Sequence, residues 1–325
     1  MSEVARPAAP AVAVLALVLG IAAGCGGSGD GSSNSSGESP PPESETPAPE
    51  GPPPDPVTTI RRLSDAGADE FVGGWSPDGR SLVYVRRDPK TVDLHFRNLD
   101  GSGDRALTGA GGQDTGGDWS PDGTRILFTS NRSDRNDIWV MDADGGNPRN
   151  LTDWGSRDWL PAWSPDGTRI SFTSNRSGSE DIFVMNADGS DVVQLTDNED
   201  YDAGPRFSPD GTRIAFHRSR APSEFSVIVM NVDGTGETEL TDPKDNTIYP
   251  DWSPDGRRIA YCSMRSGHFD IHVMNADGSG DARLTVHPGK DFLPRWSPDG
   301  RTILFHSDRH GTEDLHLLDV PEVAP

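Results

Sequence analysis

The chain has 325 residues, and its 52 acidic side chains outnumber its 29 basic ones, giving a net charge of −23 at neutral pH. A surface this acidic repels phosphate backbones, so we expect no binding to nucleic acid. It favours metal ions or basic protein patches as ligands, or it serves only to keep an exported protein soluble.

The N-terminus has the features of an export signal. Arg6 supplies a weak positive region, and an apolar run from Ala8 to Ala23 follows that is too short for a comfortable membrane span. The run ends in Ile-Ala-Ala-Gly-Cys at 21–25, which resembles the lipobox of bacterial lipoproteins. That resemblance implies cleavage before Cys25, lipidation of Cys25 and an exported protein anchored at the periplasmic or cell-surface side of a bacterial membrane. An ordinary cleaved signal is the alternative.

The segment after the signal is a predicted tether. Residues 26–56 consist almost entirely of Gly, Ser, Pro, Glu, Asp, Asn, Thr and Ala, a composition typical of disordered linkers. We therefore predict a signal peptide at 1–25, a tether at 26–56, a folded domain at 57–320 and a short tail at 321–325. Cys262 is the one cysteine of the folded domain, so no structural disulfide is expected.

The folded domain is built from a repeat marked by the tetrapeptide Ser-Pro-Asp-Gly. Successive copies are separated by 44, 44, 44, 45 and 44 residues, a period that indicates propeller blades or solenoid units. The six copies begin at Ser76, Ser120, Ser164, Ser208, Ser253 and Ser297.

Each repeat contains four predicted strands. An aromatic precedes the Pro-Asp-Gly turn, an alternating apolar strand such as 169–173 follows it, a third strand such as 181–185 leads to another Asp-Gly turn, and a fourth ends in Leu-Thr. No helical periodicity occurs after residue 57. Four short strands make one blade, so the sequence predicts an all-β, six-bladed β-propeller.

The ends of the domain complement each other. The last repeat has three strands and no fourth, whereas the Leu63-Ser64 pair aligns with the Leu-Thr pairs that end the fourth strands of other repeats. We therefore predict that the N-terminal strand at 57–64 completes the sixth blade and hides both edges of the ring. The one 45-residue spacing predicts a longer hairpin in blade four, near Ala221 and Pro222.

The repeat also resembles a known family. Trp-Ser-Pro-Asp-Gly, then Ile-x-Phe-x-Ser-x-Arg, then Asp-Ile-x-Val-Met-Asn-Ala-Asp-Gly is similar to the propeller repeats of the TolB family over residues 57–320. In that family the propeller is a periplasmic docking platform for lipoprotein and translocation partners, so the resemblance implies an envelope protein that binds other proteins. TolB carries an α/β domain before its propeller, and here the predicted tether stands in that place. Similar repeats occur in peptidase-associated propellers and oligogalacturonide lyases, so the fold alone does not fix function.

A ring of acidic residues is the first candidate site. Five residues before each aromatic stand Glu70, Asp114, Asp158, Asp202, Thr247 and Asp291. We expect them around one mouth of the central channel, where like charges would call for a cation or a basic peptide. The possible cofactor is a divalent cation such as calcium, with no metal ligands assigned. The alternative is local, because Asp in a tight loop accepts backbone hydrogen bonds.

Aromatic residues accompany this ring and could form the apolar part of a recognition patch. Packing between blades is the alternative. They are Phe71, Trp159, Tyr201, Tyr249 and Phe292.

Two further series are interpreted as structural. Arginines that follow the second strand, such as Arg132 and Arg176, precede Asp137 and Asp181 by five residues, which predicts ion pairs across the hairpin. Histidines such as His272 and His316 occupy one slot on the third strands of different blades, away from the axis, so they are not expected to converge on a metal.

No catalytic motif occurs, such as Gly-x-Ser-x-Gly or His-Glu-x-x-His, and we predict no enzymatic activity. The favoured hypothesis is a monomeric, lipid-anchored propeller that binds an envelope protein or a basic peptide. The alternative is a propeller that binds polysaccharide, or a cation-dependent lyase or hydrolase.

Overall fold

The computed structural model describes residues 59–64, 67–109 and 111–321. They form six four-stranded antiparallel sheets and one short 3-10 turn at Pro243–Asp245. The prediction of an all-β, six-bladed propeller with four strands per blade is confirmed. The predicted signal, its Cys25 and the predicted tether lie outside the described residues.

Each blade runs outward in chain order from its first strand, and the blades are numbered one to six. The strands of blades one to three are β2 (Asp69–Trp75), β3 (Ser81–Arg87), β4 (Val92–Asn98), β5 (Arg105–Ala106); β6 (Asp114–Trp119), β7 (Arg125–Ser130), β8 (Asp137–Asp142), β9 (Arg149–Asn150); and β10 (Asp158–Trp163), β11 (Arg169–Ser174), β12 (Asp181–Asn186), β13 (Val193–Gln194). Those of blades four to six are β14 (Tyr201–Phe207), β15 (Arg213–Ala221), β16 (Glu224–Asn231), β17 (Thr238–Glu239); β18 (Thr247–Trp252), β19 (Arg258–Ser263), β20 (Asp270–Asn275), β21 (Ala282–Arg283); and β22 (Asp291–Trp296), β23 (Thr302–Ser307), β24 (Asp314–Asp319), with β1 (Ile60–Arg62) as the outer strand.

The closure of the ring by β1 is confirmed. Ile60 pairs with Leu318 and Arg62 with His316, and Arg62 also forms a 2.8 Å ion pair with Asp314. The blade-four hairpin is longer, as predicted, because β15 and β16 have nine and eight residues where β11 and β12 have six each.

The Ser-Pro-Asp-Gly turn forms from its own side chains. In the third blade, the Ser164 hydroxyl donates to Asp166 at 2.6 Å and accepts from the amide of Arg169 at 2.9 Å. The hydrogen bond from Ser164, followed by those from the amide and hydroxyl of Thr168, lowers the pKa of Asp166 to about 2. Gly167 has φ 70°, a left-handed conformation that costs glycine little. The repeat thus encodes the join between first and second strands locally.

The Leu-Thr pairs have a structural role as well. The threonine hydroxyl accepts a hydrogen bond from an amide at the start of the third strand, for example Ile138 to Thr152 at 2.8 Å. Ser64 does the same for Leu315 at 2.9 Å across the closure. The side chain therefore replaces a ladder acceptor where the short outer strand has ended.

The hydrophobic core lies between neighbouring blades. Leu127 and Ile138 of blade two pack against Ile170 and Phe172 of blade three, and all four are completely buried. Each such side chain contributes roughly 1.5–3 kcal/mol when it leaves water. Among the described residues, no helix has the length and apolar character needed to cross a membrane.

An inner-strand bulge positions the candidate site. In blade three, Asp158 pairs with Ser174 and Trp159 with Thr173, but Ala162 pairs with Ser171, so the inner strand holds one extra residue. Leu160 within this bulge has φ 52°. Because one extra residue reverses the alternation of a strand, the side chains of Asp158 and Ala162 lie on opposite faces of the sheet.

Candidate functional site

The acidic ring, defined as Glu70, Asp114, Asp158, Asp202 and Asp291, is buried rather than open to the channel. All five side chains have 0% exposure. Each forms an ion pair with an arginine of its own blade that lies in the second strand or two residues beyond it: Arg86–Glu70 2.8 Å, Arg132–Asp114 2.8 Å, Arg176–Asp158 3.1 Å, Arg218–Asp202 2.7 Å and Arg309–Asp291 2.9 Å.

Blade five has no ring carboxylate, and its arginine pairs with other residues. Thr247 replaces the carboxylate there, and its hydroxyl lies 2.5 Å from that of Thr241. Arg265, the arginine of this blade, turns instead to Asp281 and to Asp245 at 2.8 Å. The expectation that the ring presents unneutralised charge to a cation or basic peptide is therefore wrong, since each carboxylate already has a cationic partner.

The predicted ion pairs across the hairpin are also wrong. Asp137 accepts hydrogen bonds from Ser133 and Asn150, and Asp181 accepts them from Ser177, Ser179 and Gln194. Arg132 and Arg176 pair with the inner-strand carboxylates Asp114 and Asp158 instead. Ser130 and Ser174, two residues before these arginines, lie between the ring carboxylate on one side and Asp137 or Asp181 on the other.

The predicted aromatic patch is interior. Phe71, Trp159, Tyr201, Tyr249 and Phe292 are between 4% and 7% exposed, so they pack between blades instead of facing a partner. Phe292 lies 4.5 Å from the Phe269 ring and Tyr249 lies 5.0 Å from the His217 ring, measured between centroids.

Two histidines share this interior. Burial alone lowers the pKa of His217 to about 3, and neither of its ring nitrogens has a hydrogen-bond partner. Burial also lowers the pKa of His306 to about 3, aided by His316 and Arg295. Burial raises the pKa of the Cys262 thiol, which occupies the same slot in blade five. Across the residues that the structure describes, no three His, Cys, Asp or Glu side chains come together in a way that could hold a metal ion.

A second charged set, which the sequence interpretation did not single out, occupies the position directly before each aromatic. This position varies between blades and is occupied, from blade one to blade six, by Gly74, Asp118, Ala162, Arg206, Asp251 and Arg295. The four charged residues, named here the axial cluster, meet near the propeller axis. Arg206 of blade four pairs with Asp118 of blade two at 2.9 Å, across the intervening blade.

The axial cluster is unevenly paired. The other oxygen of Asp118 accepts from the amide of Trp163 at 2.8 Å, so both of its oxygens have partners. Asp251 accepts from the amide of Trp296 at 2.8 Å, but its second oxygen is 4.0 Å from Arg295. Burial raises the pKa of Asp251 despite the nearby arginines. Burial, together with Arg206, lowers the pKa of Arg295 to about 10.

The loop-bearing face carries a local departure from the repeat, the rim patch of Trp154, Arg135 and Arg176. Trp154 is 44% exposed, and the Arg176 guanidinium lies 4.2 Å from its ring centroid. Arg176 is itself held by Asp158, and Arg135 donates to the carbonyl of Gly155 in the same loop. Other inter-blade loops have Ala, Asn, Pro or His where this loop has tryptophan.

Comparisons with known proteins agree with this architecture. The family model of the TolB β-propeller domain matches residues 71–248 and 243–323. TolB from Acinetobacter baumannii has a TM-score of 0.64 at 23% identity, over 72% of this chain and 59% of that one, so this chain spans less than two thirds of that protein. A TolB candidate from Agrobacterium tumefaciens has a TM-score of 0.64 at 23% identity, over 81% of this chain and 98% of that one.

An oligogalacturonate lyase solved in complex with manganese has a TM-score of 0.56 at 14% identity, over 82% of this chain and 95% of that one. At such identities the likeness shows a shared fold. No curated protein matches the chain in sequence.

Proposed function

Because this chain belongs to the TolB β-propeller domain family, we propose that it is a protein- or peptide-binding platform of the bacterial cell envelope, anchored by a lipid on Cys25. TolB structures are among those that share its fold, and interaction with other proteins is the role the family resemblance implies. The lipobox-like residues at 21–25 support the anchor and an exported location.

The rim patch is the observation that best supports the binding role. Trp154 and Val193 are the large hydrophobic side chains exposed among the described residues. Tryptophan and arginine are the residues most enriched at the energetic centres of protein interfaces. Trp154 is also held in place, because Arg176 stacks on it while bonded to a buried carboxylate, so little side-chain freedom is lost on binding.

The binding role is tested by changing Trp154 in the full chain. The tagged wild type and the Trp154→Ala variant are cross-linked in host cells, recovered and compared by quantitative mass spectrometry. We expect partners recovered with the wild type to fall at least tenfold with Trp154→Ala, because hot-spot truncation typically costs about 2 kcal/mol or more. The melting temperature should stay unchanged, since surface substitutions usually alter stability by under about 0.5 kcal/mol.

Val193→Ala is the matched control. It removes a side chain that is 54% exposed on β13, the outer strand of blade three. Equal recovery of partners by all three proteins would contradict a binding site at Trp154. The anchor is tested separately with Cys25→Ser, which should abolish incorporation of labelled fatty acid and move the protein from the membrane fraction to the aqueous fraction.

A further inference from the structure

Arg295 is a largely buried cation whose hydrogen bonds inside the protein are incomplete. One of its terminal nitrogens donates to the carbonyl of Pro294 at 2.9 Å, while the nearest Asp251 oxygen is 4.0 Å away. Its Nε atom is buried and has no hydrogen-bond partner within the described structure. A guanidinium left in this state bears a desolvation cost that a bound anion would offset.

The side chains of the axial cluster are partly exposed. Side-chain exposures are 11% for Arg295, 15% for Asp251, 16% for Arg206 and 21% for Asp118, so solvent contacts each member of the axial cluster. The charge of Arg206 also acts on Arg295, because it helps burial to lower the pKa of Arg295. Arg206 already has Asp118 as a close partner.

The charges of the cluster favour a particular anion. Two arginines and two aspartates are neutral together, so a monovalent group adds less repulsion than a divalent phosphate would. The planar fork of a guanidinium matches the two oxygens of a carboxylate, and the pair is strongest where water is partly excluded.

We propose that the axial cluster binds one carboxylate group of a ligand, with Arg295 as the primary donor and Arg206 as the neighbouring cation. The carboxylate belongs to a small organic acid, an acidic sugar or a peptide C-terminus, which share this chemistry. The inference concerns the axis and holds independently of docking at the rim patch.

The experiment follows the melting temperature of the full chain at constant ionic strength, with sodium chloride as the reference salt. The probes are sodium acetate, sodium D-galacturonate, and N-acetyl-trialanine as its free acid and as its C-terminal amide. At least one carboxylate should raise the melting temperature saturably, by about 5 °C at a hundred times its Kd. Binding of galacturonate alone identifies an acidic sugar, and binding of the peptide acid but not its amide identifies a peptide terminus.

Three variants locate the site. Arg295→Leu should lose the shift while melting, without ligand, at or above the wild-type temperature, because it removes an underused buried charge. Arg295→Lys keeps the charge but lacks the planar guanidinium, so it should reduce the shift. It tests the site if the leucine variant does not fold. Arg301→Leu, an equal charge change at an exposed turn residue, should retain the full shift.

Clear results would overturn the inference. One is the absence of any saturable shift in the wild type with all four probes. Another is a full shift in both Arg295 variants. A third, should Arg295→Leu fail to fold, is a full shift in Arg295→Lys.

Discussion

The inner strands carry two sets of charged side chains, four residues apart, that differ in almost every property. The acidic ring has the same chemistry in five blades, is completely buried, and meets an arginine of its own blade each time. The axial cluster has charges in only four blades, reaches solvent, and joins side chains of different blades, as Asp118 and Arg206 do.

This difference distinguishes contacts that recur within each blade from contacts that form only between blades of the assembled ring. A pair within one blade is reproduced whenever the blade is duplicated, and it stabilises each copy independently. An ion pair such as Arg206 with Asp118 joins two different blades, so it can form only when the ring is assembled. Residues that depart from the repeat where blades converge are therefore the better candidates for binding.

The largest expected effect is on the acidic ring. Asp158→Ala leaves Arg176 without its buried partner, so we expect a loss of about 3 kcal/mol in the free energy of unfolding. Urea denaturation measures it. Thr247→Ala is the control at the equivalent position that has no arginine, and it should cost less than about 1 kcal/mol. Equal losses in the free energy of unfolding for the two variants would show that the arginine partner makes no difference at ring positions.

The next largest effect is expected at the buried histidines, which lie between the acidic ring and the axial cluster. The folded-state pKa of His217 is lowered to about 3, against about 6.5 when unfolded, so its contribution to stability is complete above pH 6.5 and is lost as pH falls below it. His217→Leu removes this dependence. Relative to pH 7, the variant should gain about 2 kcal/mol over the wild type by pH 5.

Chemical denaturation of both proteins at the two pH values measures this gain, and His306→Leu provides an independent repeat at the equivalent slot. Parallel pH curves for wild type and both variants would show that the histidines are not held neutral by burial.

The smallest effect is expected in the axial cluster. Arg206→Leu removes a partly exposed partner of Asp118, which keeps its bond to the Trp163 amide, so we expect a loss of only about 1 kcal/mol. The same urea experiment measures it, with Arg301→Leu as the charge-matched control. A loss as large as that of Asp158→Ala would make the axial cluster a structural brace comparable to the ring.

The fold was predictable from the sequence because the repeat encodes it locally. Ser-Pro-Asp-Gly closes its own turn through Ser164 and Asp166, and the Leu-Thr pairs mark each outer strand, so both the number of blades and the closure by β1 follow from counting. Burial within a blade does not follow the alternation, because a strand such as β11 is buried on both faces from Ile170 to Ser174.

The sites were harder to predict because they depend on register and on convergence between blades. Counting by two from Asp114 places Asp118 on the same face of the strand, but the bulge turns it to the opposite face. Arg132 lies near both Asp114 and Asp137, which stand opposite Ser130 on either side, and it pairs with Asp114 while Asp137 accepts from Ser133 and Asn150. Contacts such as Arg206 with Asp118, 88 residues apart, leave no local pattern.

The outer strand of the sixth blade has a mechanical consequence. The three residues of β1, helped by the Arg62–Asp314 ion pair and the Ser64 hydroxyl, fasten the last blade to the start of the domain. Any pull on the chain from its N-terminal side is transmitted to the propeller through this short strand first. The strand that closes the ring is therefore also the element that would bear tension first. Separation of strands under tension would begin there.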